Sequence, residues 1–218
     1  MEIVWYGHAC FRLSERGVVI ITDPPSEELG YERPRIRADV VTISHDHPGH
    51  NNRIGFRGGP RFFDGPGEYE VKGVFITGIG AYHDGRQGAV RGRNTVFLFD
   101  FDGITVCHLG DLGHVLTQDQ IEALSDVDVL LIPVGGVHTL DGPKAAEVIS
   151  LIEPRLVIPM HYKTPVEKAR LETVDKFLKE MGLAPIPLQS EIKVVKSELP
   201  EETQVVLLDY YRSGADQG

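Results

Sequence analysis

Three of the nine histidines of this 218-residue chain fall within six residues, in His45-Asp46-His47-Pro48-Gly49-His50. Neutral imidazoles suit zinc, iron, nickel or manganese, and three or four of them with a carboxylate fill a coordination sphere while leaving a place for water. Groups of the same kind recur at His83, at Asp111 in His108-Leu109-Gly110-Asp111, and at His161 in Pro159-Met160-His161-Tyr162. A cation held by such a set polarises a carbonyl or phosphoryl oxygen and lowers the pKa of bound water to about 7, so hydrolysis needs no serine or cysteine nucleophile. A set of solvated loop histidines is the competing reading, but that density of imidazole exceeds what a solvated loop needs.

Each candidate stands just past an apolar run that reads as a strand, where open α/β sheets place their ligands. Ala38 to Ser44 precedes the histidine cluster, Val74 to Tyr82 precedes His83, Gly103 to His108 precedes Asp111, and Arg155 to Met160 precedes His161. Strand alternation points His45 and His47 the same way and Asp46 the other, and Pro48 ends the extended run before His50. Gly110 lets the backbone pass close to whatever Asp111 touches.

Further strands are expected at Ile3 to Tyr6, Phe11 to Leu13, Gly17 to Thr22, Glu70 to Ile76, Thr95 to Phe99 and Ile104 to Cys107, with Val127 to Ile132 leading into a glycine-rich loop. The chain opens as a meander. Helices come later: Thr117 with Gln120 has the capping-box spacing for a helix to Leu124, and Asp141 to Ile152 and Pro165 to Met181 carry helix-spaced apolar residues. Alternating strands and helices give parallel pairing in the second half. Glu191 to Val195 and Gln204 to Leu208 return to strand, and Ser213 to Gly218 should fray. These elements make one α/β domain over 1–218 in two halves, about 1–112 and 113–218.

His8, His114 and His138 are candidates to hydrogen-bond a ligand or a substrate oxygen, His138 ahead of His108 because it lies in a glycine-rich loop at a strand end. Arg86, Arg91 and Arg93 form a short basic stretch after His83, and Arg91 and Arg93 are candidates to receive a phosphate or carboxylate. The alternative for that stretch is a solvated, flexible loop.

The order of these motifs resembles the metallo-β-lactamase-fold superfamily, whose signature His-x-His-x-Asp-His is followed by a lone histidine, an aspartate after glycine and a final histidine. Trp5-Tyr6-Gly7-His8-Ala9-Cys10-Phe11, Thr22-Asp23-Pro24 and Leu109-Gly110-Asp111-Leu112-Gly113-His114 are similar to the branch of ascorbate-6-phosphate lactonase and many uncharacterised metal-dependent hydrolases. The similarity runs to about Lys179. It implies a four-layer αβ/βα sandwich, two mixed sheets face to face with helices outside and metals at one edge. It further implies that His45, His47 and His83 hold one ion, that His50 and His161 hold a second, and that Asp111 bridges them, with Asp111 and His50 at the reacting centre. One position departs from the signature: its aspartate falls at Gly49, which offers no ligand. One or two divalent ions are expected, zinc first, with manganese, iron or nickel as alternatives.

A net charge of −10, from 22 Lys+Arg against 32 Asp+Glu, excludes the general basic face on which nucleic-acid affinity depends. A content of 41% hydrophobic residues is enough for a substantial core. Cys10 and Cys107 lie in apolar runs as reduced thiols do, and neither a secretory signal nor a membrane-length apolar run is present, so a cytoplasmic protein with a small-molecule substrate, no nucleic-acid or membrane partner and a possible homo-oligomeric state is expected. Three function classes follow: a hydrolase of a small ester, lactone or phosphoester; a metal-binding protein whose catalysis is impaired or altered through Gly49; and a mononuclear non-haem iron redox enzyme.

Overall fold

A computed structural model describes residues 1–32, 36–124 and 126–213. The N-terminal strands are β1 (Glu2–Gly7), β2 (Cys10–Glu15), β3 (Val18–Thr22), β4 (Val40–Thr42) and β5 (Arg61–Phe63). There follow β6 (Gly67–Val71), β7 (Val74–Tyr82), β8 (Arg93–Asp100), β9 (Thr105–His108), α1 (Gln118–Ala123), β10 (Val129–Pro133), α2 (Gly142–Ile152), β11 (Leu156–Met160) and α3 (Val174–Glu180). The tail adds β12 (Leu188–Gln189), β13 (Ile192–Lys193), β14 (Gln204–Val205) and β15 (Leu207–Leu208). One sheet has the order β13-β1-β2-β3-β4-β5 and the other β14-β11-β10-β9-β8-β7-β6, with β12 and β15 paired apart.

The opening meander is antiparallel from β1 to β3, and β9, β10 and β11 run parallel, as the helical crossovers require. Strand β1 shows why two layers form. Ile3 and Trp5 join the main core between the sheets, while Val4 and Tyr6 face the other way into a smaller cluster with Cys10, Ile21, Val41 and Ile43. Packed against that outer cluster are Ile36 and Phe56 from irregular chain, Val19 of β3 and Phe62 of β5. On the other side α2 sends Ala145, Val148 and Ile149 into the main core, and β10 and β11 are buried along their whole length. The result is an α/β sandwich of mixed sheets with few helices. No helix of the described residues is long and apolar enough to cross a membrane.

Several expectations are corrected. The sheets do not divide near residue 112: the second begins at Gly67, and β13 from the tail completes the first. Glu70 to Ile76 is not one strand, because Lys72 and Gly73, both at positive φ, form the two-residue turn between β6 and β7. The helix expected from Pro165 starts only at Val174. Before it, backbone bonds from Lys163 to Glu172, Glu172 to Gly135 and Lys168 to Leu29 tie the segment to neighbouring loops, and tertiary pairing overrides helix spacing there. Gln204 to Leu208 splits between two sheets, and Glu191 to Val195 pairs only over Ile192–Lys193. Strands β5 and β12 were not foreseen; Arg61–Phe63 and Leu188–Gln189 are too short to show a period.

Trp5 is the hub of the main core, with Phe11, Tyr31, Tyr162 and Tyr210 rings 5.1–6.5 Å away and its indole N–H donated to the His8 carbonyl at 3.1 Å. Trp5→Ala should therefore destabilise by about 3–5 kcal/mol in urea titration, the range for deleting a buried aromatic. The Thr117 hydroxyl accepts from the Gln120 amide and the Gln120 side chain returns to the Thr117 amide, so Thr117→Ala should cost about 1 kcal/mol by the same assay.

Candidate metal centre

The sheet register places one set of strand ends on a common edge. In the first sheet β1, β3 and β4 run the same way, since β2 is antiparallel to β1 and β3 and β4 is parallel to β3. In the second, β7, β9, β10 and β11 share a direction by the same logic. The residues just beyond these C-terminal ends are His8, Asp23, the His45 cluster, His83, Asp111, the His138 loop and His161. Strand direction thus delivers side chains from seven strands to one place.

At the centre stands the Asp111 carboxylate, 3% exposed. Its Oδ2 lies 3.2 Å from His50 Nε2, 3.2 Å from His83 Nε2 and 3.8 Å from His45 Nε2, and its Oδ1 lies 3.3 Å from His161 Nε2. Buried polar atoms are normally satisfied. Here His45 Nε2, His50 Nε2 and Asp111 Oδ1 are buried without a hydrogen-bond partner, although His50 lies within bonding distance of the carboxylate. Donor atoms left unpaired around one point fit a cation. The donors of His45, His83 and Asp111 lie within 4.8 Å of one another, as do those of His45, His47 and His50, and those of His8, His50 and His161.

Electrostatics separate neutral imidazoles from a charged one. Burial, with the nearby His50, pushes His45 down to about 3, and burial, with His161, pushes His8 down to about 4, leaving neutral imidazoles. Burial also disfavours a charge on His50, but the Asp111 and Asp23 carboxylates overcome it and raise His50 to about 10. Asp111 pays a desolvation penalty as well, which His161 and His50 outweigh, so its carboxyl is held well below the usual range.

Several side chains hold this centre in place. Asp23 accepts from the Ser44 amide at 2.7 Å and lies 2.8 Å from His50 Nδ1, which leaves His50 Nε2 facing the centre. Asn94 receives the Asp111 amide at 2.9 Å and donates to the Leu109 carbonyl. Gly110, at φ 58°, is required: a Cβ there would sit 2.5 Å from both Asn94 Oδ1 and Ser44 Cβ. His8 has Nδ1 2.9 Å from buried Glu167 Oε2, and the His161 amide donates to the His8 carbonyl.

The centre opens into a cavity of about 260 Å³ whose walls include Leu29, Val90, Arg91, His138 and Leu171. Of the sequence candidates, His8, His45, His47, His83, Arg91, Asp111, His138 and His161 reach this cavity, and His50 lies beneath it. His47 is exposed, its ring stacked on His45 at 5.8 Å. Asp46 also borders the cavity and accepts from the Asn51 side-chain amide at 2.6 Å; the histidine cluster lies in bends and turns beyond β4, where the expected strand alternation does not apply. Arg93 and His114 are placed elsewhere: Arg93 is exposed on β8, and His114 accepts the Tyr82 amide and lies 2.8 Å from the Val115 carbonyl. His108 is structural, 2.8 Å from the Ala9 carbonyl. Sequence reasoning missed Asp23 and Glu167 as positioning groups. Asp23 could have been found from its place one residue past β3, but Glu167 lies in irregular chain with no such signal.

Comparison with known proteins agrees with this geometry. The model of the beta-lactamase superfamily domain matches residues 2–161. A UPF0173 metal-dependent hydrolase of Nitratidesulfovibrio vulgaris is 30% identical over 195 residues, 75% of this chain and 80% of its own length. One of Thermoplasma acidophilum is 29% identical over 75% of this chain and 84% of its own. A crystal structure from Thermotoga maritima, of the metallo-beta-lactamase superfamily, superposes with a TM-score of 0.80 at 42% identity, covering 95% of this chain and 97% of that one. The chain belongs to the beta-lactamase superfamily and, within it, to the UPF0173 family of metal-dependent hydrolases.

Proposed function

We propose that the protein hydrolyses a small ester, lactone or phosphoester with a water activated at one or two divalent ions, zinc foremost, held by His45, His47, His83, Asp111, His50 and His161. The observation that carries this reading is the convergence of unpaired buried donors on His45, His50 and Asp111. Zinc is placed first because the Thermotoga relative bears the description of a candidate zinc-dependent hydrolase, and imidazole with carboxylate suits that ion. When bound, the metal lowers the pKa of its water and polarises the scissile oxygen.

The chain's own groups supply the rest. Asp111, kept ionised by the imidazoles around it, accepts a hydrogen bond from the attacking water and fixes its lone pair toward the substrate. Asp23 keeps His50 in one orientation. Arg91 and His138 stand at the wall, where they meet an anionic or polar group of the substrate, and Leu29, Val90 and Leu171 give it an apolar side. A cavity of about 260 Å³ admits a small molecule, and the net charge of −10 offers no extended basic track for a polyanion.

Elemental analysis of the purified protein should find divalent metal, and His45→Ala and His83→Ala should each lower it together with turnover of a small ester or phosphoester panel. Full metal content in both variants, or undiminished turnover after a strong chelator, would reject this reading. Arg91→Ala should raise KM for an anionic substrate about 10-fold with kcat little changed, the lower end for a charge-assisted hydrogen bond, whereas Arg93→Ala should leave both constants alone. Equal effects of the two substitutions would remove Arg91 from the substrate wall.

A further inference from the structure

We infer that His8 is a metal ligand, filling with His50, His161 and Asp111 the second ion site that Gly49 would otherwise leave short of a donor. This rests on the metal site proposed above and goes beyond it, since a second ion is now assigned and its ligand is drawn from a different strand. Three observations carry it.

The first is shared space. A Cβ built on Gly49 falls 3.1 Å from His8 Nε2, 3.1 Å from His47 Nδ1 and 3.3 Å from Leu29 Cδ1. An aspartate at 49 would press on the His8 and His47 rings from its Cβ outward, so its side chain and the His8 imidazole compete for the same room. The glycine and the histidine are therefore complementary: one vacates what the other fills.

The second is the donor geometry. The ligand atoms of His8, His50 and His161 all lie within 4.8 Å of one another, and the rings of His8 and His161 are 4.1 Å apart. Donors at 2.0–2.1 Å from one ion can be at most about 4.2 Å apart, so small side-chain adjustments bring these three onto a common cation. Asp111 reaches this group with both oxygens, Oδ1 3.3 Å from His161 Nε2 and Oδ2 3.2 Å from His50 Nε2, while Oδ2 also faces His45 and His83.

The third is how His8 is held. Its Nδ1 faces Glu167 Oε2 at 2.9 Å, and the same carboxylate is fixed through Oε1 by the Ala169 amide at 2.8 Å. This is the arrangement that Asp23 gives His50, with a buried carboxylate on Nδ1 and Nε2 turned inward. A carboxylate behind an imidazole sets its tautomer and raises its basicity toward a metal. His8 also takes φ 52°, like His161, with which it shares the backbone bond, so both strand ends are bent to the same centre. A histidine kept for packing alone has no need of a carboxylate behind it and a free nitrogen ahead.

The test is metal counting on the full chain by elemental analysis after dialysis against zinc, with affinities from chelator competition. The wild type should hold two ions and His8→Ala one, while His8→Ala with Gly49→Asp should recover the second, because the aspartate then has room. Glu167→Gln keeps the imidazole in place and should weaken the second ion about 10- to 100-fold, which guards against a His8 variant that fails to fold. A metal-loaded crystal should show the second anomalous peak bonded to His8 Nε2. Two ions in His8→Ala at wild-type affinity, no second ion in the wild type, no recovery in the double variant, or a second ion more than about 3 Å from His8 Nε2 would each overturn the assignment. A wild type that binds no ion would instead defeat the underlying metal reading, so the two failures are told apart.

Discussion

A buried negative charge at the junction of two sheets is the constraint on which the rest of the molecule depends. Asp111 sits within 4 Å of four imidazoles, and its ionised form survives burial only because that ring of nitrogens offsets a desolvation penalty of several kcal/mol. Against burial, that carboxylate and Asp23 together lift His50, whereas at His45 and His8 burial outweighs the same attraction, so the histidines divide into a charged one and neutral ones. Without a cation this division is the best the cluster can do. With one, the imidazoles need carry no proton, and the unpaired atoms acquire partners.

Holding such a cluster costs backbone strain, and the fold shows where it is stored. His8, Asp23 and His161 all adopt positive φ immediately after strands, at about 1–3 kcal/mol each for a residue with a Cβ. These bends persist because their neighbours over-determine them. The His8 carbonyl receives both the Trp5 indole and the His161 amide, and the Asp23 side chain is locked by Ser44 and His50. The main aromatic core thus reaches the candidate metal centre through a single hydrogen bond, from the Trp5 indole on β1 to the His8 carbonyl just past its end.

How much of this was legible in the sequence follows from how local each signal is. Strand ends, the capping box at Thr117 and the ligand types at 45, 47, 50, 83, 111 and 161 depend on patterns a few residues long, and the structure brings those six residues to one edge. The helix expected across Pro165 to Glu172 failed because its backbone partners, Gly135 and Leu29, are distant in sequence. Glu167 was invisible for the same reason, since its partner His8 is 159 residues away. His8 itself carries the local mark of the other candidates, standing directly after β1, yet as a lone histidine it is expected from sequence only to hydrogen-bond a ligand or a substrate oxygen. Gly49 was read as a missing ligand, because a sequence shows the loss of a side chain but not which neighbour occupies the space.

Chemistry and recognition are built on different parts of this chain. The candidate ligands stand at strand ends, whereas Val90 and Arg91 belong to the loop between β7 and β8, for which a solvated, flexible segment is the alternative reading. Asp84 gives that loop internal bonds: its carboxylate accepts backbone N–H groups from Arg86, Gly88, Val90 and Arg91 at 2.7–3.0 Å, and although desolvation opposes them, together those bonds pull its pKa down to about 2. Because Asp84 follows His83 directly, the loop that presents Arg91 is anchored one residue from the centre. Residues 85–92 thus contribute Val90 and Arg91 to the cavity wall from a loop, while the candidate ligands are fixed by strand ends, the division between scaffold and loop by which one fold carries different specificities.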